Sequence, residues 1–226
     1  MKLTYFGHAC FSVQIGKSNL LFDPFITPNP KAAHIDIKNL AADYILISHG
    51  HEDHLADAVA IARRTGATVI APFEICQWLG GKGVGKTWSM NHGGVCQLPD
   101  CQVRLVNAVH SSSLPDGSYG GNPCGFVVES NAGNFYYSGD TALTRDMELV
   151  GEWARLTFAA LCIGGNFTMG ADDAVRAAKM VGCDHVVGVH YDTFPPIQID
   201  HKKTAEKFTA AGLRLHLLQI GGSEEF

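Results

Sequence analysis

Positive charge is scarce in this chain. Its 226 residues hold 17 Lys and Arg against 22 Asp and Glu, a formal net charge of -5. Nucleic-acid binding through many phosphate contacts needs a basic surplus, so no nucleic-acid partner is expected. Also missing is any apolar run near the roughly 18 residues that a membrane span requires. The opening stretch MKLTYFGHACFSVQIG has no uninterrupted apolar segment followed by a small-residue cleavage site, and a soluble cytoplasmic protein is the expectation. The seven cysteines are odd in number and none stand in CxxC spacing. Buried reduced thiols are therefore expected, not disulfides or a cysteine zinc knot. Repeats, low-complexity tracts and linkers are absent too. A chain with 46% hydrophobic residues is expected to fold as one domain over residues 1–226.

What is present is a series of short apolar runs. Lys2 to Phe6, Phe11 to Ile15 and Asn19 to Phe22 have hairpin spacing, with Gly-containing or polar turns between them. Tyr44 to Ile47 is continuously apolar and predicts a strand buried on both faces. A helix is predicted over Leu55 to Arg64, ended by Gly66, and a strand over Thr68 to Ala71. In the second half, strands are predicted at Gln102 to Ala108, Gly125 to Glu129, Asn134 to Ser138, Phe158 to Ile163, His185 to Val189 and Arg214 to Gln219. Helices are predicted at Arg145 to Ala154, Ala171 to Val181 and Lys202 to Ala211. The fold class is mixed α/β, with mixed sheets covered by helices.

Residues 47–59 read ISHGHEDHLADAV. His49, His51, Asp53 and His54 fall in the turn where the strand ending at Ile47 gives way to a helix, which is where layered α/β folds hold ligands. His49 and His51, two residues apart in extended chain, can point to one side, while Asp53 and His54 begin the helix and face another way. One loop can thus serve two adjacent metal ions. Four other residues end extended runs in the same manner: Asp23, His110, Asp140 and His190. Imidazole and carboxylate donors without cysteine suit zinc first, and manganese, iron or nickel as well.

The ordered set Asp23, His49-Gly50-His51-Glu52-Asp53-His54, His110, Asp140 and His190 resembles the five motifs of the metallo-β-lactamase superfamily, over nearly the whole chain. Three further stretches, Gly7-His8-Ala9-Cys10-Phe11, Gly164 to Gly170 and His190-Tyr191-Asp192-Thr193-Phe194-Pro195, are similar to small bacterial metal-dependent hydrolases. These relate to the ascorbate-6-phosphate lactonase and N-acylphosphatidylethanolamine phospholipase D branch. Relatives there typically carry an acidic residue where Gly165 stands.

The resemblance implies a four-layer αβ/βα sandwich and two divalent metals. His49, His51 and His110 would hold the first, Asp53, His54 and His190 the second, and Asp140 would bridge them. It implies hydrolysis of a small ester, lactone or phosphodiester by a hydroxide shared between the metals. A metal-binding member with a redox or sensing role is the alternative, and a nuclease a weaker one. Asp53 is a candidate proton acceptor as well as a ligand. His8 is a candidate proton donor or substrate contact, set against a purely structural histidine. Asp23 is expected to orient a metal-binding histidine from behind. Asn166 and Thr168 are candidate substrate contacts in a Gly-rich loop, although Asp172 and Asp173 after them also fit simple helix capping. His34, in the Pro-rich loop from Thr27 to Ile37, is a candidate for lining the entrance.

Overall fold

A computed structural model describes all residues, 1–226, in two seven-stranded mixed sheets with six α-helices. The first sheet contains β1 (Lys2–Gly7), β2 (Cys10–Ile15), β3 (Ser18–Phe22), β4 (Tyr44–Leu46), β5 (Thr68–Pro72) and β6 (Thr87–Met90) in chain order. The second contains β7 (Val95–Gln97), β8 (Gln102–Asn107), β9 (Cys124–Glu129), β10 (Phe135–Tyr137), β11 (Phe158–Cys162), β12 (His185–Val189) and β13 (Arg214–His216), again in chain order. The chain then returns as β14 (Ser223–Glu225) to pair with β1. The helices are α1 (Glu52–Leu55), α2 (Ala58–Thr65), α3 (Phe73–Gly81), α4 (Met147–Trp153), α5 (Ala171–Met180) and α6 (His201–Ala210).

Strand direction decides where chemistry can gather. β2 is antiparallel to both β1 and β3, while β3, β4 and β5 pair in parallel, so β1, β3 and β4 all end at the same edge. In the second sheet β9 is antiparallel to both β8 and β10, and β10, β11 and β12 are parallel, so β8, β10 and β12 also share an edge.

The sheets meet through a core of 46 buried residues. Phe11 and Phe22 of the first sheet stack at 4.6 Å, and Phe22 meets Phe126 and Phe135 of the second edge-on at 6.2 and 5.7 Å. A second cluster of 20 residues fills the outer face of the first sheet. There Leu21, Ile45, Ile47 and Val69 pack with Ala58, Ile61, Ile75 and Leu79 from α2 and α3. Leu20, Phe22, Leu46 and Ile70 point to the other core. These strands are apolar at successive positions because both faces are covered.

Most expected elements are found within a residue or two, and the main difference has a physical cause. The single helix expected over Leu55 to Arg64 is broken into α1 and α2. The Asp57 carboxylate accepts from the backbone N–H of Ile26 and Thr27 at 2.7 and 2.8 Å, and its own N–H donates to Pro24 O, which pulls the chain out of helical register. The last predicted strand stops at His216, and α3, β6, β7 and β14 are additional. All seven cysteines are free and buried, as expected. No helix is long and apolar enough to cross a membrane.

Candidate metal centre

Every one of the proposed metal-binding side chains lies at the shared strand edge. His8 follows β1, Asp23 follows β3, His49 to His54 follow β4, His110 follows β8, Asp140 follows β10, and His190 follows β12. Three of these residues leave their strands in the left-handed region: His8 at φ 55°, Asp23 at φ 40° and His190 at φ 56°. That conformation is costly for side-chain-bearing residues and recurs where function dictates the backbone. Here it turns each side chain sharply in at the strand end. Gly139 (φ 59°) does the same for Asp140, and a Cβ there would run into the carbonyl oxygen of Cys124.

Backbone hydrogen bonds stitch the sheets together at this edge. His190 N–H donates to His8 O at 2.7 Å, and Cys124 N–H donates to Ser48 O at 2.9 Å. Val109 N–H donates to Thr141 Oγ1 at 2.9 Å, and Ala142 N–H donates to Val109 O, which latches the His110 loop beside Asp140.

Two candidate ligand groups face the cavity, and Asp23, His49 and His54 form a third, wholly buried one. His49, His51 and His110 bring one donor atom each within 4.8 Å of one another, with His49 Nε2 and His51 Nδ1 at 2.9 Å. Asp53, His54 and His190 do likewise, with His8 beside them. Asp140 stands between. Its Oδ2 lies 2.9 Å from His190 Nε2, 3.3 Å from His54 Nε2, 3.7 Å from His110 Nε2 and 4.0 Å from His49 Nε2.

Asp23 is wholly buried and acts from behind. Its carboxylate accepts from Ser48 N–H (2.7 Å), the Ser48 hydroxyl (2.5 Å), the Tyr137 hydroxyl (2.6 Å) and His54 Nδ1 (2.7 Å). A carboxylate can only accept, so His54 carries a hydrogen on Nδ1 and turns Nε2 toward the site. Because the Ser48 hydroxyl donates to Asp23, its oxygen accepts from His49 Nδ1 at 2.9 Å, and His49 also presents Nε2. By the same logic His8 donates from Nε2 to Asp53 Oδ2 at 3.1 Å, and its Nδ1 accepts from the Thr193 hydroxyl at 2.9 Å.

Electrostatics divide the histidines. Burial holds His49, His51 and His110 below the ordinary imidazole range, so they are neutral donors at pH 7. Burial also pushes His8 down to about 4, against the opposing pull of Asp53. For His54 burial acts in the same sense, but Asp140, Asp23 and Asp53 outweigh it and hold the ring well above its usual value. Asp140 stays well below the carboxylate range despite burial, because His190 and His54 face it.

The residues fit bound metal. His54 Nε2 and Asp140 Oδ1, both on side chains that converge on the centre, are buried without a hydrogen-bond partner. Orphaned buried polar atoms are costly unless something binds them. The donor set is nitrogen and oxygen only, which suits zinc and other borderline divalent ions. A cavity of about 270 Å³ opens over this centre.

Among the other residues singled out in the sequence, Asn166 and Thr168 flank the cavity without lining it, since Phe167 between them does so. Asp172 pairs with Lys207 at 2.7 Å and Asp173 with Arg176 at 3.4 Å. His34 and His8 both line a separate cavity of about 650 Å³. Ser48, Tyr137 and Thr193 escaped the sequence reading, although Ser48 directly precedes His49 and Tyr137 lies three residues before Asp140.

Comparison with known proteins shows the family. Residues 2–190 match the family model described as a beta-lactamase superfamily domain. The chain is 50% identical over 220 residues, 97% of each chain, to a UPF0173 metal-dependent hydrolase of Methylacidiphilum infernorum. It is 47% identical over 225 residues, 100% of each chain, to one of Flavobacterium johnsoniae. Its structure is similar to Igni18, a metallo hydrolase of the archaeon Ignicoccus hospitalis, with a TM-score of 0.89 and 36% identity over 100% of this chain and 98% of that one. An isothiocyanate hydrolase from Delia radicum gut bacteria shares the fold, with a TM-score of 0.83 and 19% identity over 100% of this chain and 99% of that one. With the matched segment running through every strand-end candidate from Asp23 to His190, the chain belongs to the beta-lactamase superfamily, within its group of UPF0173 metal-dependent hydrolases.

Proposed function

We propose that the chain is a binuclear metal-dependent hydrolase of a small ester, lactone or phosphodiester, with zinc as the first choice of metal. The observation that carries this reading is Asp140 Oδ2, within 4.0 Å of nitrogens from both ligand groups. When bound, two dications sharing a carboxylate would lower the pKa of water toward 7 and polarise a carbonyl or phosphoryl oxygen.

The chain's own residues do the rest. Asp140 would supply negative charge to ions held by both groups. Asp53, whose side chain is 29% exposed and lines the cavity, is the carboxylate placed to take a proton from attacking water. His8 and Thr193 fix the rotamer of Asp53 from the buried side. Asp23 and Ser48 fix the ring orientations of His54 and His49, so the donors are preorganised.

The reading is tested by loading the purified protein in turn with zinc, manganese, iron or nickel. Turnover is then measured on p-nitrophenyl esters, lactones, thioesters and bis-p-nitrophenyl phosphate. Turnover that a chelator abolishes and added metal restores is the expected result. Absence of turnover in every class with every metal would overturn hydrolysis in favour of a metal-binding role without it.

A further inference from the structure

Over the metal centre the cavity has little else to recognise a substrate with. Besides five of the metal-binding side chains, Ser111, Phe167 and Phe194 line it. Beyond the metals themselves, a ligand would meet one hydroxyl and two phenyl rings.

The two rings stand on built supports. Phe167 is 56% exposed and, unlike the other exposed large apolar side chains, lines the cavity over the candidate site. It is held there by a tight turn after β11, with Gly165 at φ 70° and Asn166 at φ 57°, and a bridge pairs Gly164 with Gly170. Gly165 N–H donates to Met169 O at 3.0 Å, and the buried Met169 donates its N–H to Thr141 O at 2.9 Å, anchoring the turn beside Asp140. Phe194 follows β12 and is fixed by the turn at Pro195–Ile197, whose Ile197 N–H donates to Phe194 O at 3.1 Å. Its ring meets His8 edge-on at 5.5 Å and Phe25 at 6.3 Å.

No lysine or arginine lines the cavity. Selective recognition of phosphate or carboxylate groups ordinarily uses such cations, with arginine giving paired hydrogen bonds. Phenyl rings reward the removal of apolar surface from water instead. Resting on the hydrolase reading above, we infer that the site takes an uncharged ester or lactone whose apolar group packs against Phe167 and Phe194, in preference to a charged phosphodiester.

The test compares p-nitrophenyl acetate, butyrate and hexanoate with bis-p-nitrophenyl phosphate on the metal-loaded protein, with metal content measured on the same samples. Burial of each added methylene predicts a rise in kcat/KM of about three- to fourfold. In Phe167→Ala that gain per methylene shrinks, mainly through KM, while Phe167→Leu keeps most of it. Phe167 is exposed, so neither variant threatens folding. A flat ester series, an unchanged slope in Phe167→Ala, or a phosphodiester preferred over the esters overturns the inference. If no compound turns over, the hydrolase reading fails separately. Calorimetric binding of hexanamide against acetamide then decides the inference. Tighter hexanamide binding that depends on Phe167 supports it, and equal binding overturns it.

Discussion

At Asp140 a single buried carboxylate oxygen faces nitrogens from four histidines, so its charge is the shared element of both ligand groups. Asp140→Asn keeps the shape and removes that charge. Metal content should drop below two per chain, and turnover should fall by orders of magnitude even where one ion stays bound. Asp23→Asn is a milder change, since Asp23 acts only through His54 and, by way of Ser48, through His49. A loss of about 10- to 100-fold in metal affinity or activity is expected. Metal titration and rates on both variants check the contrast, and equal losses would contradict it. The histidine-rich loop is plain in the sequence because its ligands are adjacent in the chain. Tyr137 was not legible, because a tyrosine in an apolar strand reads as core until its hydroxyl is found 2.6 Å from Asp23. Phe167 was hidden for the opposite reason: its polar neighbours Asn166 and Thr168 drew the substrate role, while the turn presents the ring between them.

The elements were legible where burial is regular. β4, β11 and β12 are continuous apolar runs because helices and the opposite sheet cover both faces, and candidate ligands follow the ends of β4 and β12. β6 reads poorly because three of its four residues, Thr87, Trp88 and Ser89, are exposed. β14 is Ser-Glu-Glu, held by pairing with β1 and not by any propensity of its own. The break between α1 and α2 depends on Asp57 reaching Ile26 and Thr27, some 30 residues away in the chain, which no local pattern carries. The turns after the strands are the most constrained part of the fold. Gly139→Ala places a Cβ against Cys124 O at a positive φ, so it should destabilise the fold by more than about 1 kcal/mol. It should also displace Asp140. Thermal unfolding and metal content report on the two effects. A variant with parent-like melting and full metal loading would show that the turn tolerates what its geometry forbids.

In the whole molecule, the two sheets come together at one edge through hydrogen bonds made by site residues: His190 to His8, Tyr137 to Asp23 and Cys124 to Ser48. The candidate site is thereby part of what joins the halves. Ions that bind the folded chain and not the unfolded one stabilise it by mass action, about 2.7 kcal/mol at a hundredfold excess over Kd. A chelator should therefore lower the melting temperature, and added zinc should restore it. Whether one edge of the sandwich holds two ions bridged by Asp140 is read by counting metal per chain after reconstitution and removal of free ions. Elemental analysis should give two equivalents for the parent protein and fewer for Asp140→Asn. A parent value that never rises above one, or two tightly held ions in Asp140→Asn, would contradict it.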